Sequence, residues 1–533
     1  MKIILKKTIN LKIFFLFTFI YILIRFFITT PIYYPSAKPH MGHAYSSIIA
    51  DFFARFKRID GFDVHFLTGT DEHGLKIQRA AEAKGLKPKE FCDEISKTFK
   101  NLSEVLNLSN TDFIRTTEER HAKSVINLWN ILEKKNEIYL SKYSGWYSVS
   151  DEAFYSDSEV EDIDNIKKSK VSGSLVEWVE EESFFFKLSK WQEPLLKYYE
   201  DNPKFILPES RRNEVVSFVK SGLKDLSVSR KSFSWGIKVP SNKDHVIYVW
   251  LDALTNYLSA LNYPDSSSKL LKDFWPATLH LIGKDILRFH AVYWPAFLLA
   301  ADIPLPERVY GHGWILSGEE KMSKSKGNIL DPLEIIKKYG LDPLRYYLIK
   351  EVSFGNDGNI SQDKLESCIN SDLANNFGNL CQRVIAFNEK NLNLKIPDKI
   401  NFTDNDMKVL DIFKQDYEKI FKYIDDQDIN SYMNFIVEQL FAANKYFNDE
   451  EPWKKKSDIL RLNTIVYVAM ELIRKITIML YPIIPTSSLK VLNIFDIKEN
   501  DIKFDSIQNH ETLQKGTKIN KINILFNKIE KND

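Results

Sequence analysis

Two histidines, His40 and His43, enclose Met41 and Gly42. They follow a run that reads as a core strand, about Phe26 to Ile32, and precede Ala44 to Ile59, where Tyr45, Ile48, Ile49, Phe52, Phe53 and Phe56 recur at helical spacing. The pattern predicts both imidazoles at the first turn of a helix, where free backbone N–H groups and the helix dipole favour a phosphate. Gly42 lets a ring or phosphate lie close to the backbone. Far downstream, Lys321-Met322-Ser323-Lys324-Ser325-Lys326-Gly327-Asn328 alternates lysines with small hydroxyl residues. Such a loop suits a polyphosphate whose charge shifts during transfer. Each stretch alone also reads as a solvated polar turn; the pair along one chain is far more specific.

The elements that must position these groups are those of an α/β fold. Asp63 to Leu67 reads as a second strand, and the loop Thr68 to Gly74 places Asp71 at its carboxyl end. There it either holds a cationic group or caps the following helix. His280 to Ile286 is another strand and loop, carrying Gly283 and Asp285, and Gly311 to Ile315 follows a further strand. From about residue 366 the period becomes helical throughout. Leu410, Phe413, Tyr417, Ile420, Phe421 and Ile424 form one stripe, Met433 to Phe447 a second, and Ile465 to Leu480 a third, ended by Pro482 and Pro485. An antiparallel bundle is expected there.

The chain has 533 residues, several domains' worth at about 150 residues each. Its 73 basic and 72 acidic residues leave a net charge of +1, so any nucleic-acid contact is local rather than a matter of bulk charge. Three cysteines, Cys92, Cys368 and Cys381, are too few and too scattered for a disulfide framework, which points to a reducing compartment and a cytoplasmic location. Residues 1 to 25 are basic and then apolar, but the run from Leu11 to Ile24 falls short of the roughly 20 residues that span a bilayer. An upstream extension is the favoured reading of this segment, ahead of a membrane contact or an organelle signal.

With HMGH and KMSKS in hand, the chain resembles class I aminoacyl-tRNA synthetases. The stretches TTPIYYPSAKPHMGH, FLTGTDEHG, YVWLDALTNY, HLIGKDILRFH and HGWILSGEEKMSKSKGN narrow the resemblance to the methionyl-tRNA synthetase family, over roughly residues 26 to 490. It implies a Rossmann-type parallel-sheet catalytic domain with an inserted connective domain, then an α-helical anticodon-binding bundle. The divisions expected are a 1–25 extension, catalytic halves at 26–135 and 223–310, a connective insertion at 136–222, a KMSKS subdomain at 311–365, a bundle at 366–500 and a polar tail at 501–533.

By resemblance the chain activates methionine with ATP and magnesium to methionyl-adenylate, then charges methionine tRNA, initiator and elongator alike. His40, His43, Lys321 and Lys324 act on the phosphates; Gly42, Gly283, Asp285 and Ser323 complete the ATP site. Asp71 binds the substrate ammonium. Ile32, Tyr34, Trp250, Ala253, Leu254, Tyr257, Ile286 and His290 form the side-chain pocket, in which aromatic faces suit a polarisable sulfur and a Tyr or His donor can reach it. Read without the resemblance, Trp250 and Tyr257 are equally core residues. The family often has proline where Leu254 stands. Asn379, Arg383 and Trp453 become anticodon readers; read alone, they are a polar helix face and a loop anchor.

Relatives that bind zinc carry cysteines near Ser148 and Ser150, yet no cysteine occurs between Cys92 and Cys368. No structural zinc is expected, and packing around Trp146, Phe154, Tyr155 and Trp178 is expected to hold the knuckle. A monomer is favoured, since the tail is too short for an appended oligonucleotide-binding barrel. The competing readings are a synthetase for another apolar or thiol amino acid and a catalytically silent tRNA-binding paralogue.

Overall fold

A computed structural model describes residues 24–36, 38–151, 153–163, 166–317, 320–321, 331–399 and 401–530. At its centre lies a parallel sheet in the spatial order Asp112–Arg115, Asp63–Thr70, Arg25–Tyr33, Leu279–Gly283, Val309–His312, Ile206–Leu207. The strands read as apolar runs because both faces are covered. Phe27, Leu67 and Ile114 bury into one core with Trp129, while Phe26, Ile28 and Phe66 bury into another with the helix Met41–Ile59. The strand order reverses between Arg25–Tyr33 and Leu279–Gly283, where Ile28 faces Leu279. In an open sheet of this kind the crevice at that reversal takes the ligand.

The connective insertion is built on a long antiparallel pair, Ile138–Ser148 with Glu177–Phe186, in register from Ile138 opposite Phe186 to Tyr147 opposite Glu177. Its expected end needs correction. Ile206–Leu207, inside the 136–222 interval, already pairs with Val309 and Tyr310 at the edge of the catalytic sheet. A two-residue strand is too short to show a period.

Trp146 and Trp178 meet edge to face at 5.2 Å, and the side chain of Phe154 lies outside the described residues. The knuckle is held by more than packing. The Asp151 carboxylate accepts hydrogen bonds from Tyr155 Oη (2.8 Å), Ser172 Oγ (2.5 Å) and Ser174 Oγ (2.8 Å). Buried Ser148 Oγ accepts from the Asp151 backbone N–H, and buried Ser169 Oγ accepts from the N–H groups of Val171 and Ser172.

After the sheet, Ile315–Ser317 pairs with Glu320–Lys321 and Gly358–Ile360. The bundle follows, with Asn379–Leu392, Ile429–Asp449 and Ile459–Leu480 as its long helices. The stripe from Leu410 to Ile424 is not one helix but parts of three, Asp404–Leu410, Ile412–Gln415 and Tyr417–Asp425. At the first joint Asp411 Oδ1 lies 2.8 Å from His510 Nε2.

The bundle packs on the HMGH helix: Phe52 lies 5.6 Å from Tyr432 and Phe56 lies 4.7 Å from Phe504. At their junction the buried Asp51 carboxylate accepts from Arg55 Nε and Arg345 Nη2, both at 2.7 Å, and from the backbone N–H and the hydroxyl of Ser109, both at 2.6 Å. Burial alone would raise the Asp51 carboxyl, but the two guanidinium groups hold it down at about 2.

Residues 501–530 also depart from the expected polar tail. Ile502, Phe504, Ile507, Leu513 and Ile519 are buried against the bundle. Glu471 accepts the N–H groups of Thr512 and Leu513, while Arg474 donates to the carbonyls of Ser506 and Asn509. At the other end Arg25 is the first residue of its strand, paired with Asp63 and Asp273, rather than part of an extension. The expectation for residues 1–23 lies outside the described residues. No helix among the described residues is long and apolar enough to cross a membrane.

Candidate active site

A cavity of about 470 Å³ opens at the reversal of strand order. It is of the size that takes a small-molecule ligand. Ile32, Tyr34, Asp71, Trp250, Ala253, Leu254, Tyr257, Ile286 and His290 line it, together with His40, Gly42, His43, Gly283 and Asp285. Ser323 and Lys324 lie outside the described residues. Of Lys321 the backbone is described, in the short strand opposite Leu316.

His40 caps the helix Met41–Ile59. Its Nδ1 accepts the Gly42 N–H at 3.1 Å, and His43 Nδ1 accepts the His40 N–H at 3.1 Å. An Nδ1 that accepts a backbone N–H carries no proton, so each neutral ring is the Nε2–H tautomer and offers that N–H as a donor. The rings lie 3.8 Å apart, and burial followed by the His40 charge keeps the His43 imidazole well below its ordinary range. A Cβ on residue 42 would come within 3.0 Å of the His40 ring, which is why glycine stands there.

Asp71 is almost fully buried, and its backbone N–H donates to the Tyr33 carbonyl. The following helix, Leu75–Glu82, has Gly74 at its cap with no side-chain hydrogen bond, so Asp71 does not cap it. Trp250 stacks flat on Phe289 at 3.6 Å, and Tyr34 meets Trp250 edge-on at 6.4 Å.

At the buried end His290 Nδ1 lies 3.1 Å from the Ile286 carbonyl, which can only accept. The proton therefore sits on Nδ1, and Nε2 accepts the Tyr257 hydroxyl at 2.7 Å. Burial lowers the His290 pKa to about 4, so the ring stays neutral. Tyr257 and His290 are thus hydrogen-bonded to each other at this end of the cavity.

Comparisons with known proteins bear on the family and the fold. A family model described as tRNA synthetases class I (M) matches residues 26–164 and 161–385, and one described as the anticodon binding domain of methionyl tRNA ligase matches 396–533. Methionine–tRNA ligase of Brucella suis is 48% identical over 484 residues, covering 91% of this chain and 94% of its own. That of Rickettsia felis is 48% identical over 513 residues, covering 95% and 98%. Mycobacterium tuberculosis methionyl-tRNA synthetase, solved in complex with methionyl-adenylate, superposes with a TM-score of 0.92 at 44% identity over 95% of this chain and all of that one.

The chain belongs to the methionyl-tRNA synthetase family. It is a class I methionine–tRNA ligase, with a Rossmann-type core and a helical anticodon-binding domain.

Sequence reasoning missed several residues of the cavity wall: Lys76, Ser150, Asn256, His312 and Trp314 also line it. His312 Nε2 lies 2.7 Å from Ser46 Oγ on the HMGH helix, and Lys76 Nζ donates to the Ser150 carbonyl at 3.0 Å, tying the knuckle to the site. The Gly311–Ile315 stretch pointed to His312 without giving it a partner. Of the residues expected at the anticodon, Asn379 is exposed at the start of its helix and Trp453 is 40% exposed. Arg383 Nη2 donates to Asn448 Oδ1 and lies over Phe447, whose ring is 6.1 Å from Trp453.

Proposed function

We propose that the cavity binds methionine and ATP and makes methionyl-adenylate, which then charges methionine tRNAs, initiator and elongator. One observation carries the reading: a buried carboxylate, an aromatic pocket and two N–H-donating imidazoles share one crevice at a strand-order reversal. The methionine carboxylate attacks the α-phosphorus and pyrophosphate leaves. A terminal ribose hydroxyl of the tRNA then attacks the carbonyl and AMP leaves. No enzyme nucleophile is needed, so the chain's contribution is alignment and charge stabilisation.

In this reading Asp71 holds the ammonium, and Trp250, Tyr257, Leu254 and Ile286 enclose the side chain. His40 and His43 donate Nε2–H to the phosphates. Gly283 and Asp285 border the nucleotide, and Lys321 and Lys324 close over the triphosphate. Magnesium enters as part of the nucleotide substrate. An apolar pocket separates ligands differing by one methylene by only about 1 to 3 kcal/mol, so shorter thiol analogues are rejected incompletely.

Asn379, Arg383 and Trp453 read the anticodon, since a site that sees only a common CCA end cannot identify a tRNA. The C-terminal segment lies on the chain's own bundle, which supports a monomer, and the sparse, buried cysteines support a cytoplasmic enzyme. Amino-acid-dependent ATP–pyrophosphate exchange, screened over all amino acids and followed by tRNA charging, tests the reading. Exchange with methionine alone and charging of methionine tRNA are expected; exchange with a different amino acid, or none, overturns it.

A further inference from the structure

Asp71 sits in a loop clamped from both sides, before it by Tyr33 of the cavity wall and after it by groups that line no part of the cavity. Before it, the chain is fixed by the Asp71 N–H on the Tyr33 carbonyl. After it, the fully buried Glu72 carboxylate accepts from Arg115 Nε and Nη2 at 2.6 and 2.9 Å, and from Thr70 and Thr117 at 2.7 and 2.6 Å. The Glu72 carbonyl accepts the Trp235 indole N–H at 2.5 Å. Next, His73 Nδ1 lies 2.6 Å from one oxygen of Asp252, whose other oxygen lies 2.6 Å from His121 Nε2. A carboxylate only accepts, so both imidazoles donate to it. His121 Nδ1 is itself 3.0 Å from Ser259 Oγ.

Asp252 and His121 have no exposure to solvent. Burial would raise the Asp252 carboxyl, yet the His73 and His121 imidazoles hold it down at about 2. Asp252 also lies on the helix Val249–Leu254 between Trp250 and Ala253, both of which line the cavity. One carboxylate is therefore built into the wall of the side-chain pocket and hydrogen-bonded to the loop that carries Asp71.

Stability alone is a poor reason for such a triad. A buried charged cluster is often no more stabilising than apolar residues of the same volume. Hydrogen bonds, unlike apolar contacts, fix both distance and direction between two elements. A ligand pinned at two points, an ammonium and a thioether, needs the two points at a fixed separation.

We infer that Asp252, acting through His73, is a positioning residue that locks the loop of Asp71 and the helix of Trp250 into one rigid methionine-recognition unit. The inference rests on reading Asp71 as the ammonium site.

ATP–pyrophosphate exchange on the full chain tests it, with methionine and ATP varied separately. His73→Leu removes the donor and should raise the methionine KM on the order of tenfold, leaving the ATP KM within about twofold. His73→Asn, whose amide N–H takes the place of Nδ1–H, should restore most of the affinity. Asp252→Asn serves as a second disruption of the same link, expected to act as His73→Leu does. Added to Asp71→Asn, His73→Leu should cost less than about a further twofold, because it acts through Asp71. An unchanged methionine KM in both His73→Leu and Asp252→Asn overturns the inference. So do equal rises in both KM values, or a fully additive loss with Asp71→Asn. If Asp71→Asn by itself leaves the methionine KM unchanged, it is the ammonium-site reading that has failed.

Discussion

Replacing Arg345 with methionine should cost the fold about 3 to 5 kcal/mol, the usual penalty for removing one partner of a buried charge pair. The structure shows why the loss is concentrated there. Arg345 is fully buried, and its Nη2 donates to Asp51 at 2.7 Å and to the Pro482 carbonyl at 3.0 Å. Its Nε reaches the Ile483 carbonyl at 2.8 Å, and its Nη1 reaches the Leu106 carbonyl at 3.2 Å. Methionine keeps much of the stem and none of the donors. Asp51 is left with Arg55 and Ser109, and three carbonyls lose a partner. The bonds join the HMGH helix to the end of the bundle, so both halves should weaken together. Nine of the ten tryptophans precede residue 366, so fluorescence during urea unfolding reports the catalytic half, while far-ultraviolet dichroism weights the helical bundle. Both midpoints should fall in parallel, and adding Asp51→Asn should deepen the loss, because Arg55 then loses its carboxylate partner as well. A loss under about 1 kcal/mol, or a shift confined to the dichroism signal, would refute the argument.

Lys324→Ala should cut pyrophosphate exchange steeply with methionine binding nearly unchanged, since its charge matters most as pyrophosphate departs; equal losses in both speak against that role. Trp453→Ala should lower tRNA charging by about 10-fold or more, from the roughly 1 to 3 kcal/mol of base stacking, while exchange without tRNA stays near wild type; a matching loss in exchange would make it a structural anchor. His43, His280, His290 and His312 are all held below the ordinary imidazole value by burial, so between about pH 6.5 and 4 the unfolded chain binds more protons. Stability should therefore fall as the pH drops through that window, and a urea midpoint that rises on acidification would contradict it. Purified protein should contain well under one zinc per chain, and chelation should leave its unfolding curve unmoved; a stoichiometric ion lost together with structure would reverse that expectation.

The parts of this molecule that were legible in the sequence are those that repeat. The HMGH helix shows in Tyr45, Ile48, Phe52 and Phe56, and the turn that carries Asp71 shows in glycine and hydroxyl residues beyond an apolar strand. The polar links are different in kind. Asp252 meets His73 and His121 across 179 and 131 residues, and Asp51 meets Arg345 across 294. Single side chains paired over such distances leave no period to read. Residues 501–530 were misread for a related reason: Phe504, Ile507, Leu513 and Ile519 are spaced among lysines and asparagines, and only the bundle they close makes them core. The engaged Tyr257 hydroxyl likewise depends on the tautomer set by the Ile286 carbonyl, which residue types alone do not reveal.

The knuckle around Asp151 bears on the conditions under which this enzyme can be made and kept. Serine hydroxyls and one carboxylate do not form disulfides, do not climb the oxidation ladder open to thiols, and have no soft ligand for copper or cadmium to capture. In the described part of the insertion, closure comes from hydrogen bonds between its own side chains, with Asp151 as the shared acceptor.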